Sequence, residues 1–288
     1  MAASPEMTGN GKPKCLAVRW PALALLAVLC LAAGLRLHGI GFGLPALNDS
    51  DELMFELGAT RMLTGPTLNP GWFGHPATIT MYVLALVNAS TFGAGWLLGY
   101  FPDPEGFMRA IYADPGIVIL PGRIAMACFG LITVWQAARM ARTVAGDGAS
   151  GQSGGQMAGL FAALILACST LHVNYSQIIR SDMIGTVFML MTIGFALRIA
   201  RDGRAADYRW AALGVALSVA CKWPFGIVAV AGVRAPLGRP GGKVPRSRLA
   251  LPRFARAAFR RRPRQRSGDV ARNARFRRRR PRARRRAA

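Results

Sequence analysis

The 288-residue chain lacks the closely spaced cysteines that zinc sites and disulfide frameworks require. It has five cysteines and no CxxC pair, and four of the five lie in or beside apolar runs. We interpret them as small apolar side chains, which excludes a disulfide-stabilised domain and a structural zinc site. The five positions are Cys15, Cys30, Cys128, Cys168 and Cys221.

Acidic residues are also scarce, with 13 Asp and Glu against 37 Lys and Arg, a net charge of +24. Residues 234–288 contain 22 of the basic side chains and a single acid, so residues 1–233 carry 15 basic and 12 acidic groups, or +3. This nearly neutral part has long uncharged runs, which exclude an ordinary soluble α/β enzyme. The sequence therefore predicts an all-α polytopic membrane protein.

Five of the apolar runs are long enough to approach the roughly 20 residues that cross a bilayer core. We predict about five transmembrane helices within a domain of residues 18–233, preceded by a cytoplasmic N-terminus of residues 1–17. The predicted spans are residues 20–35, 117–138, 157–171, 183–197 and 210–233.

The charges of the connecting segments orient these spans. Loop 139–156 carries a net +1 and loop 198–209 a net +2, whereas residues 39–116 carry seven acids and two bases. The positive-inside rule places both arginine-containing loops in the cytoplasm and the 39–116 loop outside. We therefore expect a multi-pass protein of the cell (inner) membrane whose functional site faces the periplasm or the outside.

A further apolar stretch, residues 76–101, would invert every later loop against the charge rule if it crossed the membrane. We expect it to form a helix in the outer interface, with Tyr82, Trp96 and Tyr100 as interfacial anchors. A sixth span is the alternative.

Several ionisable side chains are predicted to lie at the outer membrane face. With a helical rise of about 1.5 Å per residue, Arg123 and Lys222 fall in the outer half of their spans. Arg180 and Asp182 lie in a short external link, and Asp51 begins the external loop. Such groups near the bilayer indicate a functional site, although snorkelling side chains or structural Arg–Asp pairs would give the same pattern.

The order of motifs along residues 18–233 resembles the N-terminal half of the GT-C membrane glycosyltransferases. The similarity is to the glycosyltransferase family 39 group, which includes dolichyl-phosphate-mannose protein mannosyltransferases and aminoarabinose transferases. His75 departs from the pattern, since relatives often have an aromatic residue or lysine there, and the later spans and outer C-terminal part of the family are missing. The matching motifs are Asp51-Glu52, LTGPTLNPGWFGHP, LPGRIAMACFGLITVWQAARMAR, NYSQIIRSD and ACKWP.

The resemblance implies transfer of a sugar, with inversion, from a polyprenyl-phosphate donor to a protein or glycan acceptor at the outer face of the membrane. Asp51 would be the general base, and Glu52 or Asp182 would position the acceptor or tune Asp51. The sequence requires no cofactor, and a divalent cation bridging Asp51 and Asp182 is an alternative by analogy within the superfamily. The side chains expected to contact the donor phosphate or the acceptor are Arg123, Arg180, Asp182, Lys222 and His75.

The basic segment 234–288 cannot bury enough apolar surface to fold alone, so we predict a disordered tail. Its Arg, Pro, Ala and Gly composition is typical of a shifted reading frame in a GC-rich gene, which would make the chain a truncated and inactive transferase. The alternative is a genuine basic arm that binds nucleic acid or anionic lipid, in a membrane-anchored protein that is not an enzyme. No nucleic-acid partner is expected unless the tail is genuine.

Overall fold

The structure is a computed structural model that describes residues 20–46, 49–65, 68–71, 77–146 and 151–234. All the regular secondary structure in these residues is helical, which confirms the predicted all-α polytopic class. His75, the N-terminal segment 1–17 and the basic tail beyond residue 234 lie outside the described residues.

The described residues form ten α-helices and one 3₁₀-helix. Four of the α-helices (α1, α3, α5 and α8) are long and apolar enough to cross a membrane, and α6 with α7 adds a fifth if the bent pair is one span. In chain order the helices are α1 Trp20–Leu37, α2 Ser50–Thr64, α3 Thr78–Leu97, α4 Pro104–Ala113, α5 Gly116–Gly146, α6 Gly151–Cys168, α7 Thr170–Ser176, α8 Ser181–Arg201, α9 Ala205–Cys221, the 3₁₀-helix Trp223–Val228 and α10 Ala229–Arg234.

Two of the predicted spans are interrupted, which corrects the expectation of continuous helices. Span 210–233 breaks at Lys222, whose backbone is extended. Pro224 explains the break, because its nitrogen cannot donate to the carbonyl of Ala220 and its ring would clash there. Span 157–171 breaks at Ser169, where α6 and α7 meet at 64°. Spans 20–35, 117–138 and 183–197 lie within α1, α5 and α8.

The carbonyls exposed by the break at Ser169 are satisfied by a buried arginine. Arg36, at the end of α1, donates to the carbonyl of Ala167 at 3.2 Å and to that of Leu166 at 3.4 Å. The last carbonyls of a helix need such donors, particularly in a membrane, where water cannot replace them. Arg36 therefore ties α1 to the end of α6.

Two apolar clusters form the core. One lies between α1, α5 and α6 and consists mainly of alanines, which let helices approach closely. The other packs α2, α3, α5 and α8 together and supports the end of the bundle where Arg123 lies. Its buried members are Phe55, Ala59, Met62, Ala77, Met81, Leu84, Ile119, Met126, Ile179, Ile184 and Cys221.

Helix α3 packs its first half against the start of α5. A Cβ atom placed on Gly122 would lie 3.1 Å from a methyl group of Leu84, which lies in the first half of α3. Helix α3 is long and apolar enough to span a membrane. The interfacial placement expected for residues 76–101, with a sixth span as the alternative, stays a prediction.

Candidate functional site

The two ends of the helical bundle carry different charge groups. At one end the arginine-containing loops meet, since Arg201 Nη2 donates to the carbonyl of Thr143 at 2.6 Å and Arg198 Nη2 lies 3.1 Å from Asp207 Oδ1. At the other end lie the described residues that the sequence singled out as candidates, together with Asp49. We call this second group, Asp49, Asp51, Glu52, Arg123, Arg180, Asp182 and Lys222, the acid–base cluster.

The short link between α7 and α8 connects the members of the acid–base cluster. The backbone nitrogen of Ile179 donates to Glu52 Oε1 at 2.9 Å. Arg180 contacts the aspartates at the start of α2, and Asp182 contacts Lys222 at the end of α9. The structure therefore brings together residues that are distant in sequence but were predicted to share one depth.

Glu52 and Arg123 form the buried part of the cluster. Arg123 Nε lies 2.8 Å from Glu52 Oε1 and Nη2 lies 2.6 Å from Oε2, a bidentate ion pair with both side chains 0% exposed. Arg123 Nη1 donates to the carbonyls of Ile40 and Phe42 at 2.9 and 2.8 Å. These contacts join α2 and α5 to the segment after α1, so the pair holds the cluster in place without reaching solvent.

Asp51 and Arg180 form an accessible part of the cluster. Arg180 Nη2 lies 3.0 Å from Asp49 Oδ2 and 3.3 Å from Asp51 Oδ2, and the Asp51 side chain is 54% exposed. Asp49 also caps α2 by accepting from the backbone nitrogen of Asp51 at 2.9 Å. Partial burial lowers the pKa of Arg180, but the hydrogen bond from Arg180 to Asp49 and the charges of both aspartates outweigh it and raise the pKa above its ordinary value.

Lys222 and Asp182 form a second accessible pair, with Nζ 2.6 Å from Oδ1. Lys222 lies where α9 has ended and the backbone is extended, and its side chain is 31% exposed. The helix break that corrects the predicted span therefore occurs at a cluster residue. A broken helix beside a charged side chain is a common way to build a site at membrane depth.

Glu56, one turn after Glu52 on α2, was missed by the sequence reasoning. Its side chain is 3% exposed, and Oε2 accepts from Asn88 Nδ2 of α3 at 2.7 Å. Burial raises the pKa of Glu56 to about 8, and the charge of Glu52 adds to this, although the Asn88 hydrogen bond opposes it. The only signal was the four-residue spacing of two acids in an amphipathic helix.

The buried contact of Arg36 with His172 was also missed. Arg36 Nη2 donates to His172 Nδ1 at 2.8 Å, and His172 Nε2 lies 2.7 Å from Thr133 Oγ1. Since an arginine can only donate, Nδ1 is the acceptor and Nε2 carries the hydrogen.

Among the residues that the structure describes, no group of three His, Cys, Asp or Glu side chains could hold a metal ion. Asp51 faces Arg180, and Asp182 faces Lys222, so each of the two aspartates suggested for a divalent cation already has a cationic partner. The predicted role of His75 falls on a residue outside the described ranges.

The fold and the acid–base cluster define a polytopic helical membrane protein with charged side chains gathered at one end of its bundle. Residues 115–250 match the family of dolichyl-phosphate-mannose-protein mannosyltransferases, which supports the GT-C mannosyltransferase-like resemblance that the sequence predicted. The match contains Arg123, Arg180, Asp182 and Lys222, begins after Asp51 and runs past residue 233. No curated protein and no solved structure gives a significant match to the chain.

Proposed function

We propose that the protein transfers a sugar from a polyprenyl-phosphate donor to a protein or glycan acceptor at the outer face of the cell membrane, with inversion at the anomeric carbon. The observation that carries this proposal is the acid–base cluster, in which the exposed carboxylate of Asp51 lies 3.3 Å from Arg180. A second partly exposed cation, Lys222, pairs with Asp182, two residues after Arg180. Both cations lie in the segment that matches the mannosyltransferase family. A base next to fixed positive charges suits displacement of a phosphate leaving group.

Asp51 has the proposed role of general base. In an inverting displacement, the acceptor oxygen bonds to the anomeric carbon as the bond from that carbon to the phosphate oxygen breaks. The acceptor proton must leave during this step, and the Asp51 carboxylate receives it. With the Asp51 side chain 54% exposed and held at the first turn of α2 by the Asp49 cap, an acceptor hydroxyl can approach it.

Arg180 and Lys222 have the proposed role of binding the donor phosphate. Each is 31% exposed and is paired with aspartates, so a phosphate can replace or share those contacts. A guanidinium can contact two phosphate oxygens at once, and fixed cations stabilise the charge that develops as the phosphate leaves. Asp182 orients Lys222, and the buried Glu52–Arg123 pair positions α2, which carries Asp51.

The choice of donor tests this proposal. Membranes that contain the full chain are incubated with an acceptor fraction and a labelled sugar, supplied either on polyprenyl phosphate or on a nucleotide. Membranes without the chain are the control. We expect chain-dependent transfer from the lipid phosphate and none from the nucleotide sugar. Absence of chain-dependent transfer, or transfer from the nucleotide sugar alone, would contradict the proposal.

A further inference from the structure

A cavity of about 200 Å³ lies between α5 and α8, at the end of the bundle opposite to the acid–base cluster. Helix α5 contributes Trp135 and Arg139 to its walls, and α8 contributes Phe195 and Arg198. Arg201 donates to the carbonyl of Thr143, another lining residue, and so adds positive charge at the rim. None of these side chains has a part in the proposed transfer.

The two cavity arginines are each held against an aromatic ring. The Arg139 guanidinium lies 4.7 Å from the centroid of Trp135, and that of Arg198 lies 5.1 Å from the centroid of Phe195. Arg198 also pairs with Asp207, whereas Arg139 has no acidic partner among the residues that the structure describes. The rings orient both guanidinium groups without using their hydrogen-bond donors, so an anion can be bound by Arg139 and by those donors of Arg198 that do not face Asp207.

The surroundings of the cavity have an excess of positive charge. Loop and helix-end positions 139–146 and 198–209 contain six arginines and two aspartates. Trp135 is 40% exposed, and tryptophan is enriched at membrane–water boundaries. Basic pockets between membrane-spanning helices at such a boundary suit lipid headgroups that carry a phosphate.

We propose that this cavity binds an anionic phospholipid, with its headgroup phosphate between Arg139 and Arg198. The rest of the lining is mainly apolar and includes Met140, Leu190 and Leu197. Those side chains suit the glycerol backbone and the first methylene groups of an acyl chain, whereas a free phosphate ion would gain nothing from them. The site is independent of the proposed glycosyl transfer.

Glycine substitutions test the cavity without changing any charge. Gly194 lines the cavity, and a Cβ atom added there meets no other atom within 4 Å, so Gly194→Leu fills the space without a backbone clash. Gly93 in α3 has the same open surroundings far from the cavity, and Gly93→Leu is the matched control. Because both variants retain the basic tail, any general attraction of the tail to anionic lipid is the same in both.

The measurement is native mass spectrometry of the full chain, titrated with phosphatidylglycerol or with phosphatidylcholine. We expect Gly194→Leu to weaken the tightest phosphatidylglycerol site about fivefold or more, while Gly93→Leu matches the parent. Arg139→Gln should give a loss of about fivefold, and Arg204→Gln, an exposed arginine at the same end, a smaller one. The proposal is overturned if Gly194→Leu binds phosphatidylglycerol like the parent, or if it weakens phosphatidylcholine equally.

Discussion

Arg123 of α5 and Glu52 of α2 are joined by two hydrogen bonds of 2.8 and 2.6 Å, and neither side chain is exposed to solvent. Each charge is compensated mainly by the other, because the surrounding core is apolar. Removing one member of such a pair leaves an uncompensated buried charge, whereas replacing both with apolar side chains is often tolerated. The stability of the protein should therefore depend on the pair as a unit.

Arg123→Met is expected to lower the free energy of unfolding by about 3–5 kcal/mol, because it leaves the Glu52 carboxylate buried and unpaired. Combining it with Glu52→Leu should recover most of that loss. Unfolding in detergent, followed by circular dichroism, gives both values. Arg109→Gln is the control, since its ion pairs on α4 are exposed and contribute little. Equal losses in the single and double variants would contradict the pairing.

Lys222→Gln is expected to lower kcat/KM for transfer from the lipid-phosphate donor about 100-fold, because it removes a fixed charge from the proposed phosphate site. Lys222→Arg keeps the charge and should retain part of the activity. Arg109→Gln, which removes a cation from α4, should leave transfer unchanged. Full activity in Lys222→Gln would remove this residue from the donor site.

Because the pKa of Glu56 is raised, the free energy of unfolding should fall as the pH rises from about 4.5 to about 8. Its folded-state pKa is raised, so in this window the folded protein binds more protons than the unfolded chain, and stability falls by up to about 1.4 kcal/mol per pH unit. Glu56→Gln should flatten this slope and be the more stable protein at pH 8. Thermal unfolding across the window tests this, with the exposed Glu105→Gln as control. If stability depends on pH equally in Glu56→Gln and in the parent, the pKa of Glu56 is not raised in the folded protein.

The placement of α3 predicts the side on which α4 lies. In a background with the native cysteines replaced, Asp103→Cys at the start of α4 should react with an impermeant thiol reagent added outside, because α3 is expected to lie in the interface. Asp202→Cys lies between the ends of α8 and α9, which are predicted to be cytoplasmic, and should react only after the membrane is opened. Labelling of both positions from the same side would support α3 as a sixth span.

Much of the fold and the meeting of the cluster residues could be predicted because they depend on hydropathy and charge along the sequence. Counting helical residues placed Arg123 and Lys222 in the outer halves of their spans, and Arg180 was expected in an external link. The structure brings all three to one end of the bundle. The resemblance at 115–250 was visible for the same reason, since its motifs keep their order relative to the spans.

The partners of those residues could not be predicted, because pairing depends on how helices rotate and pack. Arg123 was expected to face a lipid phosphate, yet in the structure it faces Glu52 in the core. The buried Glu56 depends on the approach of Asn88 from α3. Lys222 was predicted inside a continuous span because the apolar residues around Pro224 keep the mean hydropathy of the segment high and hide the helix break. The boundary of the basic tail at residue 233 stays a prediction. Translating the gene in its other reading frames tests it.

The most direct test of the account is sugar transfer by Asp51→Asn in the full chain. Asp103→Asn is the matched control, because Asp103 is also an exposed aspartate at the start of a helix and asparagine caps a helix equally well. If Asp51 is the general base, Asp51→Asn should lower turnover about 100-fold or more while membrane insertion is kept, and Asp103→Asn should match the parent. Parental turnover in Asp51→Asn would contradict the account.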